Sequence, residues 1–556
     1  MTVATTSNPA AGTQTAEPAT RPGKSIASLL GSADTPVTVS GACRLSESTL
    51  WDRQRRFYAT DGAGIWGTAT VPHFITSNPS IASSYARIAL AVLRQTQTQT
   101  QTQTHAGEDL ADAPHIVEVG GGSGRFAYLF VQQLRTLAPD LRFVYILTDF
   151  APDRLEQWRN HPSFRPHIED GFIDFAVLDA DQLAPLQLMI SGRTLRAGSL
   201  RGALLGVANY VFDTLRQDSY AIRGGQMFEY HLTLELASGD HGLDADAPLA
   251  LLNARWDTAP CAHVTPDVQL VLDYYAQTLD DTAVLVPVGA MRCLEFLDAL
   301  SSGPSCVLAA DKGHRNTTEL CSQEAPAIVP HGEGFSVMVN FDFLARWNRE
   351  RGGAALMPCE PARSLVVAAF TRGEIGSLEA LQATFDDELV DIGPDNYHAI
   401  RAVLTSAAPT TIESLLACVR FSRWDPAMFL ELFPALLEAM PSVPEPVKGE
   451  VHRTLCNVWR HYFPIGEPID LALCIGFVLS AMSWYPEAIE FFDRSVTELG
   501  TTAESAFAMA AARYGQRNLA DAREWVDRAL VLEPGFSEAR TLRATLRNEL
   551  NDERSL

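Results

Sequence analysis

Short continuous apolar runs and amphipathic stretches alternate through the middle of the chain. Ile116-Val117-Glu118-Val119, Phe143 to Leu147, Phe175 to Leu178, Ala203 to Ala208 and Cys306 to Ala310 read as strands. Between the first two, Arg125 to Leu137 reads as a helix with Phe126, Leu129, Phe130, Val131 and Leu134 available for packing. Apolar strands separated by helices imply a parallel sheet covered on both faces, an α/β fold of Rossmann-like type. Phe335 to Val339 and Leu365 to Ala369 are expected to add an antiparallel edge. Upstream, Ile81 to Leu93 carries Ile81, Tyr85, Ile88 and Val92 at helical spacing, after an aromatic stretch with Trp51, Phe57, Tyr58 and Trp66.

The flanks read differently. Residues 1–45 are expected to be a disordered tail, Thr-, Ala-, Pro- and Ser-rich at its start and too poor in apolar groups to offset chain entropy. Residues 46–375 are expected to form the α/β domain, with residues 95–113, where Gln and Thr alternate, as a surface linker inside it. Beyond about Glu374 the pattern is wholly helical: a connector over 376–465, then repeats over 466–556. There Ala488, Phe492 and Ser495 recur 34 residues later as Ala522, Val526 and Ala529, Gly476 recurs as Ala510, and Pro534 closes the second unit. This alternation of small and bulky positions resembles tetratricopeptide repeats.

Composition narrows the partners. The chain has 556 residues, 46% hydrophobic and 20% charged, ordinary for a globular protein. A formal charge of -24, from 67 acidic and 43 basic side chains, argues against a nucleic-acid backbone as the main partner. Nine dispersed cysteines without CxxC spacing make neither a zinc site nor a disulfide framework expected, and suit a reducing compartment. No apolar run approaches a membrane span, and the N-terminal stretch lacks the apolar core of a secretory signal. A cytoplasmic protein without metal is expected.

The chemistry concentrates at Glu118-Val119-Gly120-Gly121-Gly122-Ser123-Gly124, where a strand ends, glycines turn the chain and a helix begins. Glycines at 120, 122 and 124 admit a closely approaching ligand, and the helix start offers free N–H groups. The dinucleotide pattern G-x-G-x-x-G fails at Arg125, and the Gly-Lys-Ser/Thr of a phosphate loop is absent. The second strand ends in Asp149, placed to accept hydrogen bonds from ribose hydroxyls. The third ends at Asp179, and the fourth runs into Asn209-Tyr210-Val211-Phe212-Asp213. Asp311, Lys312 and His314 after the fifth strand, and Asn340-Phe341-Asp342 further on, are either pocket residues or ordinary turns.

Acidic-x-Gly-x-Gly-x-Gly resembles motif I of class I methyltransferases, whose loop holds the amino-acid portion of S-adenosylmethionine (SAM). With Phe74-Ile75-Thr76-Ser77-Asn78-Pro79 before it and Asn209 to Asp213 after it, the chain from about Trp51 to Phe370 resembles the MidA-type methyltransferases, which include a mitochondrial complex I assembly factor that methylates protein arginine. Gly121, Ser123, Tyr210 and Val211 depart from that group's pattern, and the helical tail lies outside its core. The resemblance implies SAM as cofactor, bound by Glu118, Gly120, Gly122, Gly124, Asp149, Asp179 and Thr76. Asp179 would lie near the adenine amine. Asp213 would hold a cationic nitrogen acceptor and take up a proton, with Asn209 orienting it through the amide oxygen.

The expected function is SAM-dependent N-methylation of a protein, with arginine among the candidate acceptors, recruited by the helical repeats. A small-molecule N- or O-methyltransferase and a non-catalytic SAM-binding scaffold are the alternatives.

Overall fold

The computed structural model describes residues 37–60, 73–100, 113–236, 248–261, 264–331, 333–359, 364–407 and 409–555. Residues 1–36 and 101–112, and with them part of the expected tail and linker, lie outside these, as does Trp66.

The described residues begin with strand β1 (Val37–Arg44) and helices α1 (Leu50–Thr60) and α2 (Pro79–Thr100). Four strands follow with their crossovers: β2 (His115–Glu118), α3 (Arg125–Leu137), β3 (Val144–Asp149), α4 (Pro152–Asn160), β4 (Ile173–Val177) and β5 (Leu204–Asn209). Next come β6 (Asp218–Arg223), β7 (Gln226–Leu236), β8 (Leu252–Pro260), α5 (Pro266–Thr278), β9 (Thr282–Val286), α6 (Val288–Leu300) and β10 (Ser305–Asp311). The α/β part ends with β11 (Ile328–His331), β12 (Gly334–Val337), α7 (Phe341–Glu350), β13 (Ala354–Leu356) and β14 (Val366–Arg372).

Among the described residues the main sheet has seven strands in the order β13-β14-β10-β5-β2-β3-β4. From β10 to β4 they run parallel, and β14 is antiparallel to both its neighbours. Its side chains alternate between two cores, as the period-2 geometry of a strand requires. Val117, Ile146, Ala176, Leu204 and Val307 join one, under α5, α6 and α7. Ile116, Tyr145, Phe175, Leu205 and Leu308 join the other, under α2 and α3. The chain leaves β2 outward to β3 and β4, then returns to the other side of β2 with β5. That reversal opens a crevice at the carboxyl ends of β2 and β5.

Several expectations need correction. Val37–Arg44 pairs with His231 to Leu236 of β7 and is no disordered tail. β-Branched Val37, Thr38 and Val39 favour the pleated backbone. α2 runs on to Thr100, so the first part of the Gln/Thr run is helical rather than linker. Gln is a good helix former, and Thr96 is buried with its hydroxyl on the Leu93 carbonyl. Phe335 to Val339 is no edge of the main sheet: β12 pairs with β11, and β13 forms the edge instead. A whole second sheet was also unanticipated. It is antiparallel, of order β1-β7-β6-β9 with β8 on the far side of β7. Leu232 and Leu234 of that sheet, with Phe335, enclose Leu50 and Trp51 and so seat the start of α1 beside the crevice.

Beyond β14 the described residues are helical: α8 (Leu378–Phe385), α9 (Pro394–Ser406), α10 (Ile412–Phe421), α11 (Pro426–Ala439), α12 (Glu445–Arg460), α13 (Leu471–Ala481), α14 (Tyr485–Leu499), α15 (Ala503–Gly515), α16 (Leu519–Leu532) and α17 (Ser537–Ser555). A Cβ at Gly476 would lie 2.3 Å from the Phe492 ring, which is why the close α13–α14 crossing takes glycine. The turns inside the hairpins α13–α14 and α15–α16 hold Ser483 (φ 65°) and Arg517 (φ 63°) at matching places.

The segment leaving α12 docks on the α/β domain. Arg125, the first residue of α3, donates from Nε and Nη2 to the Phe463 carbonyl at 3.2 and 2.9 Å, and pairs with Glu467. The Phe463 ring stacks on His161 at 3.9 Å and meets Tyr128 and Phe164. No helix among the described residues is long and apolar enough to cross a membrane.

Candidate active site

The crevice has two lobes. The first, about 770 Å³ with its open mouth, lies between the ends of β3 and β4 and is lined by Asp149, Phe150, Leu178 and Asp179, with Trp51, Gln54 and Arg55 of α1 along its side. The second, about 500 Å³, is lined by Thr76, Ser77, Glu118, Ser123, Phe126 and Asn209. Tyr58, Gly120, Gly122 and Tyr210 line both and form the waist between them. Clefts of this size suit a small-molecule ligand.

The glycine loop makes the waist narrow-walled. Gly122 has φ 54°, a left-handed conformation that a side chain would strain. Gly121 lies against β3, where a Cβ would come within 2.2 Å of Leu147 Cδ1. Gly124 lines neither lobe: its face meets Trp158, 2.9 Å from where a Cβ would stand, so packing explains it.

The strand-end acids differ in setting. Asp149 is buried, accepts from the Ala151 N–H at 3.0 Å and lies 3.7 Å from Arg154. Burial still raises its carboxyl above the usual range. Asp179 pairs with Arg55, whose guanidinium sits 5.4 Å from the Phe150 ring centre, and accepts from the Asp181 N–H at 3.1 Å. Glu118 accepts from the Tyr145 hydroxyl at 2.7 Å. Burial pushes its carboxyl up to about 8. Thr76 is buried in the turn ahead of α2, which Asn78 organises by accepting from the Ile81 N–H at 3.0 Å.

The end of β5 departs from expectation. No helical turn sets Asn209 and Asp213 on one side, because Tyr210 takes φ 56° and only a single turn, Phe212–Thr214, follows. Asn209 lines the second lobe, but its amide oxygen accepts from the Tyr85 hydroxyl at 2.9 Å and so is not turned to an acceptor. Asp213 lines neither lobe. Its N–H donates to the Asp311 carboxylate at 3.0 Å, and burial together raises both carboxyls. Lys312 and His314 line neither lobe, and Asn340 caps α7 while Asp342 accepts from Tyr275 at 2.9 Å.

Sequence reasoning did not anticipate the α1 wall or the part played by Tyr85 and Tyr210. Trp51 and Tyr58 stood out as aromatic, yet nothing in their spacing distinguishes a ligand wall from a core.

No family model matches the chain, and no curated protein matches it. Among solved structures it is similar to an uncharacterized protein from Burkholderia thailandensis (13% identity, TM-score 0.39) that covers 61% of this chain and 90% of that one. A protein of the same superfamily and organism, bound to S-adenosyl-homocysteine, gives 14%, 0.40 and the same coverage. An O-methyltransferase family protein from that organism gives 10% identity and 0.23, over 56% of this chain and 70% of that one.

Proposed function

We propose that this protein is a SAM-dependent methyltransferase. The observation that carries the reading is one crevice at the strand reversal, running past Gly120 and Gly122 from Asp149 on one side to Glu118 and Asn209 on the other. Asp149 suits ribose hydroxyls, Phe150 and Leu178 an adenine ring, and the second lobe an amino-acid head. The cofactor supplies an activated methyl group. The chain's own residues bind and align it, keep water out and hold the nucleophile close. Tyr58 and Tyr210 at the waist would offer aromatic surface to a cationic centre.

The acceptor we propose is a nitrogen of a protein, arginine among the candidates, with the C-terminal helices as a tetratricopeptide-like recruiting surface. In support, α9 packs on the turn that leads to Thr76 of the second lobe: the His398 ring meets Phe74 edge-on at 5.9 Å, and Phe74 is 45% exposed.

Calorimetry with S-adenosyl-homocysteine tests the cofactor. Wild type should bind, and Gly122→Val should lose binding while circular dichroism stays native. Unchanged affinity in the variant would remove the loop from the site. Radiolabel entering protein from SAM, rather than only small molecules of the same lysate, tests the acceptor.

A further inference from the structure

Tyr85 lies on the buried face of α2 and is 0% exposed. Its hydroxyl proton needs an acceptor, and Asn209 Oδ1 at 2.9 Å supplies it. This fixes the amide. Turned the other way, it would set an N–H2 group against the hydroxyl and leave the tyrosine proton unpaired. Asn209 Nδ2 therefore faces away from Tyr85. It is buried and has no partner among the described residues, while Asn209 itself lines the second lobe. A buried donor without a partner is costly, so a ligand oxygen is expected to complete it.

A nucleophilic nitrogen is not that ligand atom. Its lone pair is committed to the methyl group and cannot also accept from an amide. The rest of the lobe favours an anion beside an ammonium. Gly122 and Ser123 precede α3, Thr76 and Ser77 precede α2, and both helix starts present positive dipole ends. Glu118 adds a carboxyl in the same lobe. Donors and an acid together suit a zwitterionic amino-acid head.

We infer that Asn209 binds the amino-acid carboxylate of the cofactor through its amide N–H2, with Tyr85 as the positioning residue that sets the amide's direction. This rests on the SAM reading above and replaces a role for Asn209 in holding the methyl acceptor.

The test uses the full chain and two ligands in calorimetry. S-Adenosyl-homocysteine carries the amino-acid head; 5′-methylthioadenosine shares the nucleoside and thioether but lacks it. Asn209→Asp still accepts the Tyr85 proton, so the packing is kept, but it sets an oxygen where the donor was. It should weaken S-adenosyl-homocysteine about tenfold or more and leave 5′-methylthioadenosine within about twofold, since hydrogen bonds to charged groups are the stronger kind. Tyr85→Phe, which frees the amide to turn, should weaken only S-adenosyl-homocysteine, by a few-fold. Retained 5′-methylthioadenosine binding shows that each variant is folded. Equal loss of both ligands, or unchanged S-adenosyl-homocysteine affinity with slowed methyl transfer, would overturn the assignment of Asn209 alone. A wild-type chain that binds neither ligand would overturn the cofactor reading and this inference with it.

Discussion

The backbone N–H of Asp213 donates to the carboxylate of Asp311 at 3.0 Å, so that two carboxyl groups from the ends of β5 and β10 share one buried place behind the crevice. Two like charges cannot both ionise cheaply there, and desolvation raises both pKa values. The consequence for stability has a definite sign. Each carboxyl is protonated more readily in the folded chain than in the unfolded one, so its contribution is intact below the ordinary carboxylate range near ~4 and is lost as pH rises through neutrality. Glu118, pushed up to about 8, acts in the same direction. Asp213→Asn is therefore expected to raise the melting temperature above wild type at pH 8, with the difference shrinking toward pH 4. S-Adenosyl-homocysteine affinity should stay unchanged, because the residue lines neither lobe. A variant less stable than wild type at pH 8 would mean that the pair is held ionised by a compensating charge.

Gly121 tests the loop from its packed side. A methyl group there would meet Leu147 Cδ1 at 2.2 Å and force β3 or the loop to shift. Gly121→Ala is expected to cost about 1–3 kcal/mol of stability, the usual range for overpacking. It should also weaken S-adenosyl-homocysteine, since Gly120 and Gly122 move with it. Paired denaturant and calorimetric titrations check both effects; a neutral result would show that Leu147 yields freely.

Arg55 ties α1 to the end of β4 through Asp179. Arg55→Ala should leave global stability within about 0.5 kcal/mol, because the pair is partly exposed. It should speed release of S-adenosyl-homocysteine in stopped-flow measurements, since one wall of the first lobe is then untethered. An unchanged release rate would make α1 a fixed wall that Trp51 and Gln54 hold without help.

The sequence made the floor of the site legible and hid its walls. Glu118, Gly120, Gly122 and Asp149 sit where a strand pattern stops at a turn, and such local punctuation survives without tertiary knowledge. Trp51, Arg55 and Tyr58 reach the crevice only because Leu232, Leu234 and Phe335, far along the chain, enclose the start of α1. That contact has no periodic signature. The second sheet escaped for a related reason. β8 exposes most of both its faces, so its residues show no alternation to read. Asn209 was recognised as a site residue, but the direction of its amide depends on Tyr85, 124 positions earlier, which reads as one more core residue on a helical stripe.

The anchoring of Arg125 by Phe463 and Glu467 also orders events in time. A ribosome finishes the glycine loop and the start of α3 long before it reaches the residues that hold that helix in place. With synthesis at about 5–20 residues per second, the roughly 340 intervening residues take ~20–70 s. Throughout that interval the nascent chain carries Tyr128, His161 and Phe164 without the ring that stacks among them. The N-terminal domain thus cannot reach its final packing as an early, independent folding event; it is completed from behind, by the tail.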